Sequence, residues 1–152
     1  MPATASPTRE DAQIRDRMGA LAQALRAKDI NALMAHYAPD VVVFDLPMAL
    51  QCRGADAYRK NFEAWFAAVQ GPIDYEMRDL RITADGDIAF YHYLARVKSS
   101  RKNAPKTGYW ADYWVRVTAG CRKMNGRWMV THEHISVPLD MATTQAARDL
   151  QP

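Results

Sequence analysis

Apolar positions recur at helical spacing in the first third of the chain and alternate like strands in the rest. Over residues 9–28, Ile14, Met18, Leu21 and Leu25 form one stripe with Arg15, Asp16 and Arg26 off it, which predicts an amphipathic helix. Thr8 is placed to cap it, with Asp11 three residues on where a capping box has Glu. Asp29 is placed to cap a shorter helix through Tyr37 that turns Ile30, Leu33 and Met34 inward, and Pro39-Asp40 is expected to end it. The β-branched run at 41–45 predicts a strand and 46–53 a proline-containing connection. A third helix follows over 54–69, with Tyr58, Phe62, Trp65 and Phe66 on one face and Gly71-Pro72 as its stop.

The remainder predicts antiparallel sheet. Strands are expected at 75–84, 87–98, 108–123 and 127–137. Asp85-Gly86 and Asn125-Gly126 supply hairpin turns, and 99–107 a long loop. Residues 139–152 form a tail with room for a short helix, and 1–8 a loose leader. Helices first and a meander afterwards give an α+β class: a cone-shaped, curved antiparallel sheet wrapped around three N-terminal helices. No repeat or linker divides residues 9–138, so one domain is expected.

The strands are ambiguous about which side is wet. Strict alternation puts Val130, His132, His134 and Ser136 on one face of the last strand, against Thr131, Glu133, Ile135 and Val137. In the same way His92 shares a face with Phe90 and Leu94, and Trp110, Asp112, Trp114, Arg116 and Thr118 share another. Each face mixes aromatic with ionisable residues. That fits a sheet whose concave side holds a ligand and whose convex side meets a second copy of the chain. The expectation is that the His132–His134–Ser136 face looks inward. There the histidines would act as acid/base groups or ligand hydrogen-bonders, or else be satisfied by Asp112, Glu133, tyrosines or backbone.

Other residues carry paired readings. Asp45, in an apolar setting, suits a general base, or caps the turn before Pro47. Arg116 can grip a carboxylate ligand in two-pronged fashion, or pair with Asp112 or Asp45. Trp110, Trp114 and Trp128 supply pocket, core or interface surface. His92, His132, His134 and Asp45 contain enough donors for zinc or iron. No dense ligand spacing supports that, and the expectation is no metal and no cofactor. His36 is expected to be a cation at the end of the second helix.

Composition narrows the classes. The chain has 152 residues, 49% hydrophobic and 24% charged, with a net charge of +3. That charge is too mild to argue for nucleic acid, and the one basic cluster, Lys98, Arg101, Lys102 and Lys106, fits a solvated hairpin tip. Cys52 and Cys121 match no metal spacing and suit reduced thiols. No apolar run is long enough for a membrane helix, and a cytoplasmic location follows by default.

Three motifs carry a resemblance: Ala27-Lys28-Asp29-Ile30-Asn31-Ala32-Leu33-Met34 followed by Tyr37-Ala38-Pro39-Asp40-Val41-Val42-Val43-Phe44-Asp45; Gln51-Cys52-Arg53-Gly54-Ala55-Asp56-Ala57-Tyr58; and Gly126-Arg127-Trp128-Met129-Val130-Thr131-His132-Glu133-His134. In this order they resemble the NTF2-like, or SnoaL-like, α+β cone proteins. More narrowly they resemble bacterial ketosteroid-isomerase homologues. The resemblance implies Asp45 as general base, since the isomerases keep an aspartate at the end of the first strand. It implies no oxyanion donor in the first helix, where Leu21 stands at the tyrosine position, and Asp112 does not clearly match the second donor. The expected function is an isomerase, dehydratase or cyclase acting on a small hydrophobic or carbonyl-containing ligand, working as a homodimer through the convex sheet. The alternatives are a non-catalytic ligand-binding or dimerisation module and a metal-dependent enzyme.

Overall fold

The computed structural model describes residues 8–46, 49–101 and 111–152. Helix α1 spans Arg9–Ala27, α2 Ile30–Met34 and α3 Ala55–Ala68. The strands are β1 (Tyr37–Phe44), β2 (Cys52–Arg53), β3 (Val69–Asp85), β4 (Ile88–Arg101), β5 (Ala111–Met124), β6 (Arg127–Ser136), β7 (Leu139–Asp140) and β8 (Gln145–Ala146).

The helix caps follow the sequence. Thr8 Oγ accepts the Asp11 N–H at 3.1 Å, and Asp29 Oδ1 accepts the Ala32 N–H at 2.9 Å. Each satisfies a donor that the first helical turn leaves unpaired. The stripe Ile14, Met18, Leu21 and Leu25 is buried throughout. Lys28 ends α1 in the left-handed conformation, φ 53°, and its N–H bonds back to Ala24 and Leu25.

Two expected stops are not stops. Helix α2 ends at Met34, and the chain is already extended at Tyr37, so Pro39-Asp40 lies inside β1. The register of β1 against β6 slips between Tyr37 and Val42, which lets a residue without an N–H sit where the ladder is interrupted. Gly71, at φ 75°, likewise does not end an element. β3 runs through it with a register slip between Gln70 and Asp74. Residues 139–152 contain the small β7–β8 hairpin in place of the expected helix.

The main sheet has the order β2-β1-β6-β5-β4-β3. β3 to β6 form the expected antiparallel meander, and β1 joins β6 in parallel. Irregularities at Arg78–Arg81 in β3 and opposite Gly120–Cys121 help bend the long strands. The helices fill the concave side, with α1 against β3 and α3 against β1. Leu33, Val41, Val43, Tyr58 and Tyr91 are all 1% exposed or less at the centre of that core.

Leu33, at 0% exposure, is held between helices and sheet that cannot collapse independently. Leu33→Ala is expected to cost about 2–5 kcal/mol. Urea unfolding monitored by far-UV circular dichroism measures it, and a loss below about 1 kcal/mol would contradict this description of the core.

Candidate functional site

One extra residue in β6 decides what the site contains. Val130 lies opposite Cys121 and His132 opposite Gly120, so Thr131 has no partner of its own. Its Oγ donates to the Gly120 carbonyl at 3.2 Å. This bulge resets the alternation. Trp128 and Val130 face inward before it; after it Glu133 faces inward, and His132 and His134 face out. The expectation that the histidine face lines the interior is therefore corrected. His132, His134 and Ser136 do share a face, but it is the outer one.

That outer face collects most of the expected site residues. His134 lies beside Phe44 of β1, whose ring meets His132 at 4.8 Å and His134 at 5.6 Å between centroids. His132 Nδ1 contacts the Val42 carbonyl at 2.8 Å. His92 is exposed opposite Thr118, and Arg116 lies opposite Ser136. Asp112 pairs with Arg96 at 2.8 Å. Trp114 is outward yet only 7% exposed, because the Arg78 guanidinium covers its ring at 5.1 Å and its indole N–H donates to Gln151 Oε1 at 3.2 Å. None of these residues forms the expected inner wall, and Trp110 lies outside the described residues. The set Asp45, His92, His132 and His134 is split between two faces of the sheet. Among the described residues, no three His, Cys, Asp or Glu side chains converge as metal ligands.

The inner face holds a different constellation. Glu133, 3% exposed, accepts hydrogen bonds from the Tyr37 and Tyr58 hydroxyls, both at 3.1 Å. Burial pushes its carboxyl up to about 7, helped by the negative charge of Asp45 and opposed by the two hydroxyls. Asp45 follows β1 two residues after Val43, the β1 neighbour of Glu133. It is half-buried, and Oδ1 accepts the Leu46 N–H at 2.7 Å. Burial raises its pKa; the Leu46 N–H and the Tyr58 hydroxyl hold it down in part. The Tyr58 hydroxyl donates its proton to Glu133.

The aromatic face of α3 borders this cluster. Phe62 packs on Tyr58 at 4.6 Å and Trp65 on Phe66 at 5.4 Å. Phe62, Trp65 and Phe66, with Val97, Tyr113 and Ile135 of the sheet, pack against the inner core yet are only half-buried, as is Asp45. Asp45 acts electrostatically on both Tyr113 and Cys52, raising each pKa beyond the effect of burial. A buried carboxyl held by phenols, bordered by half-buried apolar side chains, brings together the residue types from which small-molecule sites are built.

A cavity of about 10 Å³ lies among Arg17, His36, Tyr91 and Cys121, room for about one water. His36 is not the expected cation. Burial, then the charges of Arg17 and Arg127, lower its pKa to about 4 and keep it neutral.

Tyr37, Tyr58 and Glu133 were not among the residues expected to act. Tyr58 reads as one member of a helical stripe and Glu133 as the polar side of a strand. The available signal is that Glu133 is the single acid of β6 and shares its alternating face with Ile135.

Glu133 gives the fold a distinctive pH dependence. In the unfolded chain its carboxyl ionises near the ordinary 4.5, in the folded protein near 7. Between those values the unfolded state holds fewer protons, so this group's contribution to stability falls as pH rises, by roughly 3 kcal/mol. Glu133→Gln removes that loss while keeping an acceptor for the tyrosines. The unfolding free energy of the variant relative to the native protein should rise by that amount from pH 4.5 to 8. A flat difference across that range would contradict the assignment.

Comparison with known proteins agrees with this architecture. The family model described as a SnoaL-like domain matches residues 14–140. An NTF2-like protein of unknown function from Pseudomonas putida KT2440 is 36% identical, with 94% of this chain and 96% of that chain covered and a TM-score of 0.83. A ketosteroid isomerase-like protein from Erwinia carotovora atroseptica is 23% identical over 85% of this chain and 96% of that one, TM-score 0.69. A protein from Novosphingobium aromaticivorans described as a candidate scytalone dehydratase is 16% identical over 94% of both chains, TM-score 0.75. The last two show likeness of fold. No curated protein matches significantly. With a family match over most of its length and a 36% identical structural relative, the chain belongs to the SnoaL-like domain family and has the NTF2-like fold.

Proposed function

We propose that the protein is an acid/base enzyme of the isomerase, dehydratase or cyclase type, acting on a small hydrophobic, carbonyl-containing ligand beside Asp45 and the aromatic face of α3. The observation that carries this is the pair of carboxyls in unlike settings, Asp45 half-buried beyond the end of β1 and Glu133 fully enclosed, where it accepts the Tyr58 hydroxyl. Two acids whose surroundings separate their ionisation divide the roles of base and acid. Asp45, its pKa raised by burial, removes a proton next to the ligand carbonyl. Tyr58, braced by Glu133, supplies a hydroxyl proton to developing negative charge; Glu133, near half-protonated at neutral pH, replenishes it. The ketosteroid isomerase-like and candidate dehydratase neighbours support the class of chemistry only through their shared fold.

The outer-face histidines have no part in that reaction. With Phe44, Phe90 and Ile88 at 38%, 49% and 55% exposure, they form an aromatic patch suited to a second copy of the chain in an isologous pair. Light scattering should report a dimer, and Phe90→Glu should shift it toward monomer; a monomeric native protein would overturn that assignment.

Proton–deuterium exchange into 2-tetralone, an enolisable ketone, tests the reaction. The native protein should accelerate exchange over buffer. Asp45→Asn should lower the rate by about 10²–10⁴-fold, and His134→Ala should leave it unchanged in a dimeric preparation. Exchange that survives Asp45→Asn would exclude Asp45 as the base; no acceleration by the native protein would favour a binding module.

A further inference from the structure

The small cavity under α1 has a charged lining. Ile14, Met18 and Leu21 of α1 cover it on one side. Cys121 and Val130, the pair that precedes the β6 bulge, form its sheet wall together with Tyr91 of β4. Its polar residues are Arg17, His36, Tyr91 and Cys121. Trp128 also lines it, but the indole N–H is committed to Gln13 Oε1 at 3.3 Å.

Two of these residues are left incomplete by the protein itself. Tyr91 is 1% exposed, and its hydroxyl makes no well-formed hydrogen bond among the described residues. Native structures rarely leave a buried hydroxyl unpaired, because its lost hydration is not replaced. The hydroxyl end of Tyr91 lies beside the Cys121 thiol and acts electrostatically on Arg17, so it is directed at the cavity that both border. Arg17 is half-buried, and its guanidinium bonds only neutral groups, the Ala35 carbonyl at 3.1 Å and Met129 Sδ at 4.0 Å. Among the described residues no carboxylate pairs with it. Arg127 adds a second positive charge that acts on Arg17 and His36 alike. Glu133 acts on Tyr91 and Cys121 but does not line the cavity.

The lining therefore presents protons: a guanidinium, a phenol, a thiol and one N–H of a neutral imidazole. A water there would need acceptors for its own two protons, and the lining is poor in them. An anion needs only donors and positive charge, and bonds of that kind are the stronger ones. The volume of about 10 Å³ admits one small particle and excludes phosphate or a carboxylic acid.

We infer that the cavity between α1 and the sheet is a binding site for a single monatomic anion, chloride in solution, held by Arg17 and the Tyr91 hydroxyl. The anion offsets the half-buried guanidinium, gives the Tyr91 proton an acceptor and ties α1 to β4. The site is separate from Asp45 and does not depend on the acid/base reading.

Urea unfolding in sodium chloride and in sodium gluconate at equal ionic strength tests the inference, because gluconate screens surface charge but is too large for the cavity. Binding to the folded state alone raises the folded-to-unfolded ratio by 1 + [Cl⁻]/Kd, about tenfold once chloride reaches roughly ten times its Kd. The native protein should therefore unfold at higher urea in chloride than in gluconate. Tyr91→Phe, which keeps the ring, and Arg17→Gln should each close that gap, and Arg17→Lys should keep part of it. Long-wavelength anomalous diffraction from native crystals grown in sodium chloride should place a chlorine atom in contact with the Arg17 guanidinium and Tyr91 Oη. Coincident unfolding of the native protein in the two salts, or a gap that survives either Tyr91→Phe or Arg17→Gln, overturns the site. Density in the cavity without anomalous signal identifies a water and overturns it as well.

Discussion

A carboxyl group inside the cone constrains everything around it. Glu133 is enclosed by aromatic rings, and an unpaired carboxylate there would cost several kcal/mol. Two tyrosine hydroxyls from different elements, Tyr37 at the start of β1 and Tyr58 in α3, meet it at 3.1 Å. The three residues tie together the parallel β1–β6 pair and the helix that closes it. The two rings also meet edge to face, 5.1 Å between centroids, so one contact set carries both packing and polarity. Moving any of the three elements would strand a buried polar group, which is why such clusters specify one arrangement more strongly than apolar packing does.

That arrangement exists only because β6 carries a bulge. Regular alternation from Val130 would aim His132 and His134 at the helices and Glu133 at solvent. The unpaired Thr131 inverts this within a single residue. The two outcomes differ in chemistry. An inner histidine pair would titrate near neutral pH as bases, whereas the observed interior holds an acid raised toward neutrality and supported by phenols. The reach of the Asp45 charge to Glu133, Tyr113 and Cys52 shows the low-dielectric side of the same design: with few charges inside, each acts over several neighbours.

The sequence was legible where local rules dominate. Helix caps at Thr8 and Asp29, the α1 stripe and the two Gly-containing hairpin turns need only a few neighbouring residues, and they fall where the pattern puts them. Periodicity also located all four strands of the meander. It failed where a strand tolerates an interruption. Pro39 and Gly71 read as stops, but the sheet absorbs them as register slips, because pairing on either side outweighs the local preference. The face of His132 and His134 was illegible for the same reason. A bulge adds one residue without a composition signal of its own, and Thr131 is as good a strand residue as any. In β1 the alternation holds without a bulge at its end, and Val41 and Val43 both face inward as the pattern gives.

The residues that make this chain individual lie at the two ends of that logic. The Glu133 cluster is set by long-range register and could be found only once β1, β6 and α3 were assembled. The tail after β6 is set by the opposite circumstance, a stretch of β5 left without a β6 partner, which a returning segment can cross and grip from both faces. A sheet edge left bare invites pairing with other chains; covering it with the tail removes that hazard. The same short segment thus closes an edge through local contacts on both faces, whereas the acidity of Glu133 follows from how long-range register buries it.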